Sequence, residues 1–254
     1  MNREESVSSL AKLLTGGKNI LIFTGAGIST ASGIPDYRGP KGVWKTKTPV
    51  FYADFMNSAS ARIRYWTTKT EDWAAFRDVE PNPVHRAIAD LNDAEKVLAV
   101  VTQNVDGLHR KSGLRDDRLI EIHGTNAKIE CQSCGSISDP DPIYGQFERT
   151  GIPPTCECGG HLKPATISFG QSLRQNDLQR AFDFSKQSDL IISLGSTLSV
   201  EPAASIPRSG AERGTPYIII NQGETGHDGL SCLTLRISDD VVATFPEAVM
   251  AALS

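Results

Sequence analysis

The sequence predicts an α/β protein built on a doubly wound parallel sheet, with a smaller lobe inserted into it. Short apolar runs bounded by turn residues alternate with stretches of helical periodicity, the pattern of parallel strands linked by crossover helices. Two segments, residues 37–80 and 127–165, break that rhythm, and the second carries two close pairs of cysteines.

The elements follow in chain order. Val7, Leu10, Leu13 and Leu14 recur at helical spacing, so residues 4–15 read as an amphipathic helix. Residues 19–24 are a short apolar run ending at Gly25, which suits a strand buried on both faces. Runs of the same kind occupy 97–102, 119–122, 190–194, 217–221 and 233–237, with helical patterns at 84–91, 177–186 and 240–252. Residues 37–80 are polar, hold all three tryptophans (Trp44, Trp66, Trp73) and show only short helical patterns. Residues 127–165 are rich in proline and glycine. The expected organisation is a main domain of residues 1–36, 81–126 and 166–254, with 37–80 and 127–165 forming the small lobe.

Composition restricts the function. Apolar residues make up 39% and charged residues 22% of 254, an ordinary globular balance. No stretch approaches the ~18 consecutive apolar residues of a membrane span. The polar, acidic start Met1-Asn2-Arg3-Glu4-Glu5 has neither the basic region and apolar core of a signal peptide nor the bias of a transit peptide, so a cytoplasmic location is expected. With 26 basic and 30 acidic residues the net charge is −4, and no basic patch suggests a nucleic-acid or membrane partner.

The first strand runs into Gly25-Ala26-Gly27-Ile28-Ser29, a Gly-x-Gly that lets backbone approach a pyrophosphate. Thr30 stands where the third glycine of the dinucleotide fingerprint belongs, so alone the motif reads equally well as a tight turn. The long polar loop that continues to Pro40 favours function, because long loops in compact domains usually carry it. Cys131-x-x-Cys134 and Cys156-x-Cys158 supply four thiolates in two knuckles, enough to close a tetrahedral zinc shell with no open position. A redox role fits less well, since neither pair lies in a thioredoxin-like βαβ context. Cys232, in an apolar run, reads as a small buried hydrophobe.

Residues 25–38 resemble the signature of the sirtuins, the NAD-dependent protein deacylases, with Tyr37 in place of the commoner Phe. Thr102-Gln103-Asn104-Val105-Asp106-Gly107-Leu108-His109, Glu121-Ile122-His123-Gly124, Gly195-Ser196-Thr197-Leu198 and Ile220-Asn221 match further sirtuin blocks in order, so the resemblance spans nearly the whole chain. It implies a Rossmann-like NAD-binding domain with a small zinc-containing lobe. It places NAD against Gly25, Ala26, Gly27, Ser29, Ile34, Asp36, Tyr37, Arg38 and Trp44, against Gln103, Asn104, Asp106 and His123, and against Gly195, Ser196, Thr197, Asn221, Gln222, Gly223 and Asp239. Asp106 would hold the nicotinamide carboxamide, and Asn104 the nicotinamide ribose and an ordered water. His123 would be the base. Of the five histidines, His85 at a helix start reads as structural, while His109, His161 and His227 are expected in polar, glycine-containing loops.

Residues 163–170 resemble the sirtuin strand that pairs with the substrate backbone, with Ile167, Phe169, Gly170 and Val200 against the substrate and Gln171 replacing an acidic residue. The implied partner is an acylated lysine of an extended peptide. The implied reaction cleaves NAD at the nicotinamide–ribose bond, the acyl oxygen capturing the ribose carbon, and yields nicotinamide, free lysine and O-acyl-ADP-ribose. The rivals are ADP-ribosyl transfer at the same site and a non-catalytic NAD-sensing or zinc module, against which His123 beside Asn104 and Asp106 argues. Residues 64–66, 154–164 and 228–232 are similar to the class II sirtuins, whereas residues 39–44 lean toward the chromatin-linked group; the longer match makes the chain most similar to class II. The Tyr-x-x-Arg pair of the desuccinylating group is absent, so neutral acyl chains are expected.

Overall fold

The computed structural model describes residues 2–36, Gly42 and 48–254, apart from the side chains of Ala74 and Ala75. Helix α1 (Arg3–Gly16) is started by a capping box in which Asn2 accepts from Glu5 N and Glu5 accepts from Asn2 N. It leads into β1 (Ile20–Thr24), buried along its whole length. Helices α2 (Tyr52–Asn57), α3 (Ala59–Arg77) and α4 (Pro83–Asp93) precede β2 (Val97–Thr102), and the short α5 (Leu108–Lys111) precedes β3 (Leu119–Glu121). Then come β4 (Gly124–Cys131), β5 (Ile137–Ser138), α6 (Pro140–Thr150) and β6 (Leu162–Thr166). The chain closes with α7 (Gln175–Gln187), β7 (Leu190–Leu194), α8 (Ser205–Ala211), β8 (Tyr217–Ile220), β9 (Leu235–Ile237) and α9 (Val241–Leu253).

Six strands pair in parallel in the order β3-β2-β1-β7-β8-β9, so the direction of winding reverses between β1 and β7. The period of two in β1 sends Ile20 and Ile22 to one face and Leu21 and Phe23 to the other. The first face packs on α1, α4 and α9 through Leu10, Leu14, Ile88, Leu91 and Phe245, and the second on α7 and α8 through Ala181 and Ile206. Both faces being covered is why the interior strands β1, β2, β7 and β8 are nearly continuous apolar runs, while the edge strands β3 and β9 carry Glu121 and Arg236.

A separate antiparallel sheet, β5-β4-β6, has its own core of Phe55, Tyr65, Trp66, Ile129, Tyr144, Phe147 and Leu162. Here one expectation fails: residues 59–77 form a single helix of 19 residues, not short helical pieces. Its threonine-rich middle has weak helical propensity, and tertiary packing compensates. Trp66 is fully buried, 5.4 Å edge-on from Tyr144, and its Nε1–H donates to Leu162 O at 3.2 Å. Among the described residues no helix is long and apolar enough to cross a membrane.

Candidate active site and metal centre

The carboxyl ends of β1 and β7 diverge at the reversal point, the place where open α/β sheets bind ligands. The loops leaving them touch backbone to backbone. A Cβ on Gly25 would stand 2.8 Å from Gly195 O, one on Gly27 2.8 Å from Gly195 Cα, and one on Gly195 2.6 Å from Ile28 N. Side chains are excluded at all three positions, and Gly27 N–H donates to Gly195 O at 2.8 Å. After Gly25 the chain makes two short 3-10 turns, Ala26–Ile28 and Thr30–Ser32, in place of a long helix. The third glycine of the fingerprint serves close helix–strand packing, and here Thr30, in its place, begins a 3-10 turn.

A cavity of about 1630 Å³ opens at this point. Gly25, Ala26, Gly27, Ile34, Asp36, Gln103, Asn104, His123, Gly195, Ser196, Thr197, Asn221, Gln222 and Gly223 line it. Ile167, Phe169, Gly170 and Val200 line it as well, as do Tyr65, Thr68 and Lys69 of α3. Ser29 is buried and Asp106 half-buried, and neither is among the lining residues of the cavity in this structure: Ser29 Oγ donates to Asp106 Oδ2 at 2.8 Å, and Leu108 N–H donates to Oδ1 at 2.9 Å. Burial pushes the Asp106 carboxyl up, against these hydrogen bonds. Tyr37, Arg38 and Trp44 lie outside the described residues.

Asp239 requires a correction. It does not line the cavity; Asp240, Val241 and Val242 do. Its carboxylate faces α1 and α9, accepting from Arg3 Nε at 3.1 Å, Thr244 Oγ1 at 2.9 Å and Asp240 N at 2.7 Å, and these partners, Arg3 first, hold its pKa down to about 2.

The histidines separate by environment. His123 is half-buried, and its Nδ1 lies 3.1 Å from Gln103 O. His85 caps α4, as expected. His109 and His227 are buried, each 2% exposed, not placed in open loops. Helix formation at Leu108–Lys111 draws His109 inward, and a contact between His227 Nδ1 and Tyr217 Oη at 3.0 Å anchors the other.

Of the 163–170 segment only residues 163–166 pair as strand; beyond Thr166 the chain meets no neighbouring strand among the described residues. Ile167 N–H donates to His123 O at 2.8 Å, and Ser168 N–H to Gln171 Oε1 at 3.0 Å. The neutral Gln171 thus closes the turn carrying Phe169 and Gly170. Two supports were invisible in the sequence, because a lone basic residue in a strand gives no signal. Lys163 is fully buried, with its ammonium on Pro164 O and Thr166 O, and burial lowers its pKa to about 7. Arg236 donates to Asn221 O at 2.8 Å and to Gly223 O at 2.6 Å, fixing the 221–223 turn.

The four cysteine sulfurs lie within 4.8 Å of one another, with Cys131–Cys158 at 3.6 Å and Cys134–Cys156 at 3.8 Å. A tetrahedron of Zn–S bonds of ~2.3 Å has edges of about 3.8 Å, so the donor set fits zinc. The shortened second knuckle closes because a Cβ on Gly160 would stand 2.6 Å from Cys131 Sγ, and Gly159 adopts φ +81°. Cys232 is half-buried, beside the core under α7 and α8.

Residues 25–202 match the Sir2 family. The chain belongs to the Sir2 family. It is 39% identical over 230 residues to "NAD-dependent protein deacetylase 1" of Bradyrhizobium diazoefficiens, covering 91% of each chain. It is 37% identical over 234 residues to an "NAD-dependent protein deacetylase" of Sulfolobus acidocaldarius, covering 91% of this chain and 90% of that one. Among solved structures it resembles Sir2 with a p53 peptide and NAD+, and Sir2 bound to acetylated peptide, each with TM-score 0.85 and 32% identity over 96% of this chain and 97% of the other. The family match takes in the antiparallel sheet and the cysteine cluster of this Sir2 protein, and the main sheet from the end of β1 through β7.

Proposed function

We propose that this Sir2 protein is an NAD-dependent protein-lysine deacylase acting on acylated lysines presented in extended peptides. The position of His123 carries the reading. It lies on the cavity wall and is joined through its own carbonyl to the 167–170 segment. Gln103 O can only accept, so the neutral ring holds its proton on Nδ1 and keeps its lone pair at Nε2, the state a general base requires. Relatives named as deacetylases and a Sir2 structure with acetylated peptide support the same activity.

Gly25–Gly27, Gln103 and Asn104 would hold the pyrophosphate and nicotinamide parts of NAD, and Gly195–Thr197 with Asn221–Gly223 the remainder. NAD supplies a ribose carbon activated by its nicotinamide leaving group. Asn104 orients the ribose, and Asp106, held by Ser29 and Leu108, orients the carboxamide end. His123 Nε2 takes the proton from a ribose hydroxyl. Ile167, Phe169, Gly170 and Val200 line the peptide side. The two sheets with separate cores support the division into a main domain of 1–36, 81–126 and 166–254 and a small lobe of 37–80 and 127–165, in which zinc on the four cysteines is structural.

The test is nicotinamide release from NAD with an acetyl-lysine peptide, the unmodified peptide and no peptide. Release should require the acyl group and match deacylated peptide one for one. Release that ignores the peptide, with label transferred to protein, would establish ADP-ribosyl transfer instead.

A further inference from the structure

Behind the cavity wall runs a file of buried polar groups that the reaction does not touch. Thr24 and Thr102 end β1 and β2 and are register partners; His109 comes from α5, and His85 of α4 packs on it. All four side chains are at most 2% exposed. Thr24 Oγ1 donates to Thr102 Oγ1 at 2.8 Å, and Thr102 Oγ1 also accepts from Asn104 N–H at 3.0 Å. The single hydroxyl proton of Thr24 is thereby committed, so its 2.9 Å contact with His109 Nε2 requires the ring to donate. His109 is the neutral Nε2–H tautomer, and its Nδ1, without a partner among the described residues, is a lone pair.

The same accounting fixes His85. Its Nδ1 accepts from Asn82 N–H at 3.4 Å, so its proton sits on Nε2, which also lacks a partner among the described residues. The rings are 5.0 Å apart, edge to face, so the unpartnered N–H and the unpartnered lone pair belong to neighbours. A further proton on either ring would be a buried donor with no acceptor. Burial accordingly lowers His85 to about 4 and His109 well below the ordinary histidine range.

We propose that His109 is a positioning residue: by donating from Nε2 it orders the Thr24 and Thr102 hydroxyls and thereby fixes the backbone of Asn104. Asn104 Nδ2 then reaches Gly25 O and Ser29 Oγ, both at 3.1 Å, which ties the end of β2 to the glycine loop. An accepting Nε2 would draw the Thr24 proton away from Thr102, leaving the strand ends joined by the backbone bond from Gln103 N–H to Thr24 O at 3.0 Å without the hydroxyl bond that holds Thr102 Oγ1 under Asn104 N–H. The inference rests on the placement of Asn104 in the NAD wall.

The test compares His109→Leu, Thr24→Val and His109→Gln, whose side-chain amide keeps an N–H donor, together with 15N spectra of the imidazoles in the unaltered protein. His109→Leu and Thr24→Val should raise KM for NAD by about tenfold, leaving KM for the acyl peptide within about twofold. His109→Gln should recover most of the loss. The spectra should show His109 neutral with the proton on Nε2 from pH ~5 to ~8. A Gln variant as impaired as the Leu variant, NAD and peptide KM rising together, or a proton on Nδ1 would overturn the proposal. Should His109→Leu fail to fold, Thr24→Val and the spectra decide. Asn104→Ala with an unchanged KM for NAD would refute the assignment of the wall, while the tautomer would still be read independently.

Discussion

Gly27→Ala tests whether the glycine loop is glycine because of contact or because of flexibility. The added Cβ would lie 2.8 Å from both Cα and O of Gly195, 0.6 Å short of the 3.4 Å at which ordinary contact begins. Both neighbours are backbone, Gly27 N–H is bonded to Gly195 O, and Gly195 itself has φ +59°. No side chain can swing aside, so the ends of β1 and β7 must part. Forced overpacking of this kind costs about 1–3 kcal/mol, and each kcal/mol lowers Tm by about 2–4 °C in a chain of this size, so the drop should be about 2–12 °C. The displaced loop should bind NAD at least about tenfold more weakly, the equivalent of ~1.4 kcal/mol. Gly229→Ala is the control, since a Cβ there meets nothing within 4 Å. Melting curves and calorimetric titration with NAD read both effects. If Gly27→Ala melts and binds NAD like the Gly229→Ala control, close approach to Gly195 is not what selects glycine.

Four further outcomes are expected. His123→Ala should lose about 10²–10⁴-fold in deacylation rate with NAD binding nearly intact; more than roughly a third of the activity remaining would remove it from the role of base. Cys131→Ala should lose zinc and thermal stability together, read by metal analysis and melting. Full zinc content in that variant would contradict the four-thiolate assignment. Asp239 has a folded pKa of about 2 against 3.8 unfolded, so its contribution is present above pH 3.8 and lost as pH falls toward 2. Asp239→Asn should therefore melt lower at pH 7, match the unaltered protein near pH 2, and bind NAD unchanged; weakened NAD binding would restore the sequence-based role. Neutral acyl-lysines should exceed succinyl-lysine in kcat/KM by at least about tenfold. Thr68 stands where an arginine would pair the acid, and Lys69, the basic side chain that lines the cavity among the described residues, has the Asp72 carboxylate nearby; succinyl-lysine turning over fastest would assign Lys69 to the acyl chain.

The sequence by itself determined what short range controls. Strands buried on both faces must be almost wholly apolar, which made β1, β2, β7 and β8 legible; the edge strands β3 and β9 were legible within a residue or two from the shorter apolar runs that include Glu121 and Arg236. The Gly-x-Gly loop and the four cysteines were legible in the residues themselves, because steric exclusion and ligand chemistry permit few residue types there, whereas Asn104, Asp106 and His123 were singled out through the sirtuin resemblance. Tertiary structure decided the rest. Helix α3 owes its length to Trp66 packing against β6 and α6, partners about 80 to 100 residues away that no local pattern records. Asp239 and Asp240 are adjacent, and only the packing of α1 against the start of α9 turns Asp239 to Arg3 and leaves Asp240 on the cavity. Lys163 and Arg236 gained their roles because folding surrounds each with carbonyl oxygens. His109 lies six residues from Gln103, yet which of its nitrogens carries the proton follows from Thr24, 85 positions away, because a hydroxyl has one hydrogen to give.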